Sequence, residues 1–279
     1  MGGSNVRVRI ISGVVVALAV SLILLAGKEA FDIACTLLAV VAVTEIFNAF
    51  EDKGLKPLRF GGYVSCFCLL LGAIGTWNWN VWGWLRRIIL FVDVRFLLYL
   101  ALIIMFVLLI FRHERYTVAD LSVTVMGSFY VCFLFWHLIL LRSMQHGLYI
   151  VGFVILGAVA TDTCAYFVGT ALGRHKLVPL ISPKKTVEGA IGGVAGCVLL
   201  FVAYGMLSVE LANPIPIWKC IIMAVPAGIV AQLGDLAASC IKRFCGVKDF
   251  GKVIPGHGGI LDRLDSVLIL APLIYTFFV

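Results

Sequence analysis

Residues 147–172 read GLYIVGFVILGAVATDTCAYFVGTAL, and this stretch decides the fold. It is long enough to cross a hydrocarbon core of about 30 Å, which takes roughly 20 residues as a helix. It carries no alternation of polar and apolar residues, so a membrane strand is excluded and a helix remains. Its one charged residue, Asp162, lies well inside the run. A charge there costs about 2.5–3.5 kcal/mol on insertion scales, so it calls for a partner or a function.

Outward from this run, eight more stretches have the same texture, at about 10–26, 31–50, 62–77, 94–111, 121–141, 189–208, 217–241 and 261–279. The chain of 279 residues is 62% apolar and 13% charged, whereas soluble domains carry about a quarter charged residues. A water-soluble body is therefore excluded. The expected fold class is all-α, a polytopic membrane protein of about nine transmembrane helices. Trp77, Trp79, Trp82 and Trp84, after the third run, read as an interfacial belt. The first run follows Arg7 and Arg9 and has no small-x-small cleavage site before Lys28, so it is expected to stay as an anchor.

The net charge of +7 is a matter of topology first. With nine spans, one side of the membrane collects Arg7, Arg9, Lys53, Lys56, Arg59, Arg112, Arg115, Arg174, Lys176, Lys184, Lys185, Lys242, Arg243, Lys248, Lys252 and Arg263. The positive-inside bias makes that side cytoplasmic, with the N-terminus on it, and no nucleic-acid partner is implied. Nine cysteines are scattered through apolar stretches without C-x-x-C or Cys/His zinc spacing, as buried free thiols would be.

Texture divides the chain. Residues 1–145 form plain apolar spans and read as a scaffold, whereas in 146–279 polar and small residues enter the spans. Gly169 with Gly173, and Gly192 with Gly196, are small-xxx-small pairs that let helices approach closely. Four carboxylates fall in or beside the later spans: Asp162, Asp235, Asp262 and Asp265. Each taken alone is explained by snorkelling or by a neighbouring Arg. Gln232, Asp235, Ser239 and Lys242 make one polar stripe on the eighth helix. Asp262 and Asp265 share a face of the ninth, and Asp162 and Tyr166 are four apart on the sixth. Polar faces in an apolar bundle should turn toward one another, making a wet acidic pocket suited to a hard cation such as Mg²⁺.

Two basic loops supply the opposite charge. One reads SPKKTVEG, Ser182 to Gly189, with lysines beside a helix start, a natural grip for phosphate. The other runs through Lys242, Arg243, Lys248, Asp249 and Lys252 to Pro255-Gly256-His257-Gly258-Gly259. Its glycines are expected to let backbone amides wrap an anion. A lysine pair or a GHGG turn alone also fits a solvated basic face. Together with metal-binding carboxylates they fit phosphoryl or nucleotidyl transfer.

The run SCIKRFCGVKDFGKVIPGHGGILDRLD, Ser239 to Asp265, closely resembles the signature of phosphatidate cytidylyltransferases, every fixed position of which is filled. SPKKTVEG and Asp162-Thr163-Cys164-Ala165-Tyr166 resemble further blocks of that family, with Cys164 where Gly or Ala is usual. The resemblance covers about residues 157–266. It implies transfer of CMP from CTP to phosphatidic acid, with Asp235 and Asp262 holding the metal centre and Asp265 and Asp162 close by. It further implies that Lys184, Lys185, Lys242 and Arg263 bind phosphate. Ser182, Thr186, Ser239, Arg243, Lys248, Asp249, His257, Gly258, Gly259 and Tyr166 complete the expected substrate contacts, with His257 ordering its loop rather than donating a proton. Mg²⁺, often assisted by K⁺, and a homodimer of nine-span subunits in the bacterial inner membrane are implied as well. A CTP-dependent lipid kinase and a cation-coupled transporter are the rival readings.

Overall fold

Long apolar runs propagate as helix because lipid offers the backbone no other hydrogen-bond partner. The computed structural model describes residues 2–77, 94–207, 215–256 and 258–279. Trp79, Trp82 and Trp84 of the belt, Arg86, Arg87 and His257 lie outside the described residues. Within them run nine α-helices: α1 (Gly2–Leu25), α2 (Lys28–Asp52), α3 (Arg59–Gly75), α4 (Val94–Phe111), α5 (Val118–Ser143), α6 (Gly147–Leu172), α7 (Val187–Leu207), α8 (Ile217–Cys245) and α9 (Leu261–Phe278). Five of them, α2, α5, α6, α7 and α8, have the length and hydropathy to cross a membrane, while Ile11–Leu25, Arg59–Gly75 and Phe96–Phe111 are shorter apolar helices. Large apolar side chains on many helices face outward, among them Leu18, Phe67, Phe129, Leu199 and Trp218. Water tolerates few such surfaces and lipid welcomes them. The chain is a multi-pass membrane protein.

The all-helical expectation misses one element. Lys176–Val178 (β1) pairs antiparallel with Ser182–Thr186 (β2), Lys176 opposite Thr186 and Val178 opposite Ser182. Pro179 and Pro183 hid this hairpin in the sequence, since proline normally marks a loop or a strand edge.

Two compact units are distinguished: Met1–Ser143 with Cys245–Asp262, and Met144–Phe244 with Arg263–Val279. In the first, the core is the buried face of α2, with Val43, Ile46, Phe47 and Phe50. Gly62 of α3 and Gly127 of α5 make room for it, for a Cβ on Gly127 would stand 3.1 Å from the Phe47 ring. The α2–α3 connection is clipped to the start of α5. Asp120 accepts the backbone N–H of Thr117 at 2.7 Å and of Lys56 at 2.6 Å, and Thr124 Oγ1 accepts that of Leu58 at 2.8 Å. Thr117 and Asp120 thus form a capping box that also holds a distant loop. Asp32, buried near the start of α2, is matched by Lys28 Nζ at 2.9 Å and Trp77 Nε1 at 2.8 Å.

In the second unit α6 and α7 pack through the glycines noted above together with Gly189 and Gly193. A Cβ on Gly193 would stand 2.9 Å from the Thr161 carbonyl, and one on Gly189 would stand 2.7 Å from the Ala165 carbonyl and 3.1 Å from Gly169 Cα. Backbone atoms cannot step aside as a side chain can. Gly189→Ala is therefore expected to destabilise the protein by about 1–3 kcal/mol, read as a lowered thermal midpoint in detergent. An unchanged midpoint would refute the close approach. At another level of these helices, Tyr149 and Tyr204 stack at 4.5 Å and each donates its hydroxyl to the other's carbonyl, at 2.8 and 3.2 Å.

Candidate functional site

The expected residues fall into two groups, one in each unit. In the second unit the hairpin sorts the two lysines. Neighbouring strand residues point to opposite faces, so Lys184 is exposed while Lys185 turns inward and meets Asp235 of α8 at 2.5 Å. Asp162 of α6 is in electrostatic reach of Asp235, Lys185 and Arg263. Asp265 of α9, buried, is in reach of Asp235, Lys242 and Asp162. Three carboxylates and three cations thus share one region. A balanced cluster of that kind is tolerable inside apolar helices, where any member alone would not be.

Local structure explains the placement. Gly234 lets α8 approach α9 just before Asp235, since a Cβ there would stand 3.0 Å from the Asp265 carbonyl. Gln232, a turn earlier, is buried and donates to the carbonyls of Ala190 at 3.1 Å and Gly228 at 2.9 Å. It fixes α8 against α7 rather than reaching substrate. Lys242 and Arg243 lie in the last turn of α8, where cations suit the helix dipole. Arg243 Nε donates to the Ile181 carbonyl at 3.3 Å, which ties down the hairpin beside the half-buried Ser182. Thr186 is buried and its hydroxyl caps α7, accepting the Gly189 N–H at 3.1 Å, a duty the sequence reading did not give it. Ser239 is half-buried, and Tyr166 and Arg263 are exposed.

In the first unit the glycine loop holds a correction. Ile254 and Gly258 exchange both backbone hydrogen bonds, at 2.9 and 3.1 Å. Gly256 and Gly258 have φ of 76° and 89°, a region other residues rarely enter. Asp262 Oδ2 accepts the N–H of Phe250 at 2.8 Å and of Gly259 at 2.9 Å. The N–H groups of Ile260 and Leu261 go to the Glu45 carboxylate, at 3.0 and 2.9 Å. The amides from Gly258 to Leu261 are thus all accepted inside the protein, and in this conformation they do not form the anion cradle the sequence suggested. Glycine serves here for backbone shape and for room beside two carboxylates. Lys248 and Asp249 are exposed at the loop's start.

Glu45 was not among the expected residues. The signal was present, an acidic residue deep in the 31–50 run, an exception to the plain texture of residues 1–145. Among the described residues no three His, Cys, Asp or Glu groups stand close enough to hold an ion by themselves. Magnesium in phosphoryl-transfer sites usually takes one or two carboxylates and completes its shell with phosphate oxygens and water. Asp235, with Asp162 in reach, offers that donor chemistry.

Comparison with known proteins bears on the same residues. The model of the family described as "Cytidylyltransferase family" matches residues 7–279. A phosphatidate cytidylyltransferase of Synechocystis is 36% identical, with 97% of this chain and 96% of the relative covered. Those of Staphylococcus haemolyticus and Bacillus subtilis are 32% and 30% identical, covering 96% and 97% of this chain and 97% of each relative. The match therefore takes in the plain apolar half as well as the charged half, and the chain belongs to the cytidylyltransferase family.

Proposed function

We propose that this protein transfers CMP from CTP to phosphatidic acid, giving CDP-diacylglycerol and pyrophosphate for phospholipid synthesis. The observation that carries the reading is the Lys185–Asp235 pair among further carboxylates on apolar helices, in a chain whose relatives bear that name. A phosphate oxygen of phosphatidic acid attacks the α-phosphorus of CTP in line, and the bond from that phosphorus to the bridging oxygen of the β-phosphate breaks. A phosphomonoester has its second pKa near about 6, so the nucleophile is ionised at neutral pH and no strong base is required. The protein's part is positioning and charge neutralisation.

In this proposal Lys185 leaves Asp235 for a phosphate oxygen when substrate binds, and Lys184, Lys242, Arg243, Lys248 and Arg263 grip the remaining phosphate charge. Ser182, Ser239, Asp249 and Tyr166 contact substrate, and Gly258, Gly259 and His257 shape the loop. Mg²⁺, with K⁺ as a second cation, is the expected cofactor and would neutralise phosphate charge at Asp235. Asp262 would be the other ligand, as the family pattern implies. Nine spans with a cytoplasmic N-terminus put both basic loops on the side where CTP is found. The lipid reaches the site with its acyl chains still in the bilayer, and the subunit acts as a homodimer.

The test uses purified protein in detergent with phosphatidic acid, Mg²⁺ and CTP labelled at the α-phosphate. Label in a chloroform-soluble product, matched by pyrophosphate and lost in EDTA, is the expected result. No lipid label, with CDP formed on a supplied polyprenol, would replace the reading with a lipid kinase.

A further inference from the structure

We infer that Glu45, on the second helix, is a positioning residue that sets the shape of the glycine loop and the start of α9 for the transfer reaction. The inference rests on the proposed function for its activity arm and on geometry for the rest. Glu45 is only 4% exposed and stands among Val43, Ile46 and Phe47, which are fully buried. A carboxylate in such surroundings is stable only when its oxygens are matched. Both are: Oε1 accepts the Ile260 N–H at 3.0 Å and Oε2 the Leu261 N–H at 2.9 Å.

Those two amides are not arbitrary. The first N–H groups of a helix have no partner within it, and negative charge is favoured where they point. Leu261 opens α9, so Glu45 supplies from a distant helix the cap that the loop does not provide for itself. Two glycines complete the fit. A Cβ on Gly251 would collide with the Glu45 carboxylate, and one on Gly259 would stand 2.5 Å from each of its oxygens. Loop and carboxylate are thus in contact at residues 251, 259, 260 and 261. The same segment carries Asp262, whose Oδ2 takes the Phe250 and Gly259 amides. Two carboxylates, one local and one remote, therefore hold four loop amides between them. Removing the remote one frees the backbone one residue ahead of Asp262 without altering any side chain proposed to touch substrate.

The experiment compares wild-type protein with Glu45→Gln and Glu45→Asp in detergent. It measures kcat per folded molecule well below the thermal midpoint, and amide hydrogen exchange over residues 249–262. Gln can accept one amide, but its NH₂ opposes the other, so exchange of the Ile260 and Leu261 amides should quicken by about tenfold or more. At the same time kcat should fall about 10- to 100-fold, a range typical of mispositioned reacting groups. Asp keeps the charge on a shorter arm and should recover part of both effects. A merely stabilising residue would lower the midpoint and leave kcat per folded molecule alone, and that result would overturn the inference. Unchanged exchange would overturn it too. If Glu45→Gln does not fold, Gly251→Ala, which pushes on the same carboxylate, must reproduce the faster exchange and lower kcat; wild-type values there refute the inference. Wild-type protein that makes no CDP-diacylglycerol would count against the function, while the exchange data would still report on the loop.

Discussion

Asp235→Asn is expected to lower CMP transfer by about a thousandfold while the protein remains folded and in the membrane. Asp235 is the carboxylate that Lys185 meets at 2.5 Å, and it lies in reach of Asp162 and Asp265. In the free enzyme the substitution leaves Lys185 without its counter-charge, and breaking a buried pair from one side costs about 3–5 kcal/mol. The Lys185 and Asp235 side chains are 24% and 30% exposed, so screening reduces this and the fold should survive. Activity has no such relief. Loss of one preorganised charge at a transferring group typically costs about 10²–10³ in rate, and the asparagine also forfeits the proposed cation ligand. Lys185→Met should fall comparably. Because the two act as a unit, the double variant should be scarcely slower than the worse single one. The check is kcat with α-labelled CTP for all four proteins. Asp235→Asn retaining a tenth of wild-type turnover would refute the assignment.

Asp262→Asn is the second large effect, with a loss of about a hundredfold or more. Its Oδ2 takes two amides, and hydrogen bonds to a charged acceptor are roughly twice as strong as those to a neutral one. An asparagine oxygen in the same place keeps the geometry but weakens both bonds, costing about 1–3 kcal/mol of loop stability. If Asp262 only held the loop, its loss should match that of Glu45→Gln, about 10- to 100-fold in kcat with quickened exchange of the loop amides. A loss beyond that range, with monodisperse elution unchanged, assigns it to the chemistry as well. Near-normal turnover would remove it from the proposed metal centre.

How much of this was legible in the residues follows from range. The helices were, because the membrane imposes one rule on every apolar run and α2, α5, α6, α7 and α8 obey it along their length. The cluster of Asp162, Asp235 and Asp265 was legible as three polar faces that had to meet. The hairpin was not, since five residues containing Pro183 carry no strand periodicity, and with it went the division of Lys184 from Lys185. The hydrogen bonds of the glycine loop were also out of reach. Glycines advertise free amides, but which acceptor takes them is settled by tertiary structure. Here one acceptor is adjacent in sequence and the other lies at residue 45.

That distance has a consequence for biogenesis. The chain emerges and inserts from its N-terminus, so α2 enters the bilayer with a carboxylate whose partners, the amides of Ile260 and Leu261, are more than 200 residues from being synthesised. Until then Glu45 must stay protonated or keep company with water. A nascent chain that stalls before α9 carries that unmet acid in its second helix, a mark that distinguishes it from the finished enzyme. The arrival of Ile260 and Leu261 removes it, so the loop closes on α2 only once a segment more than 200 residues later has been made.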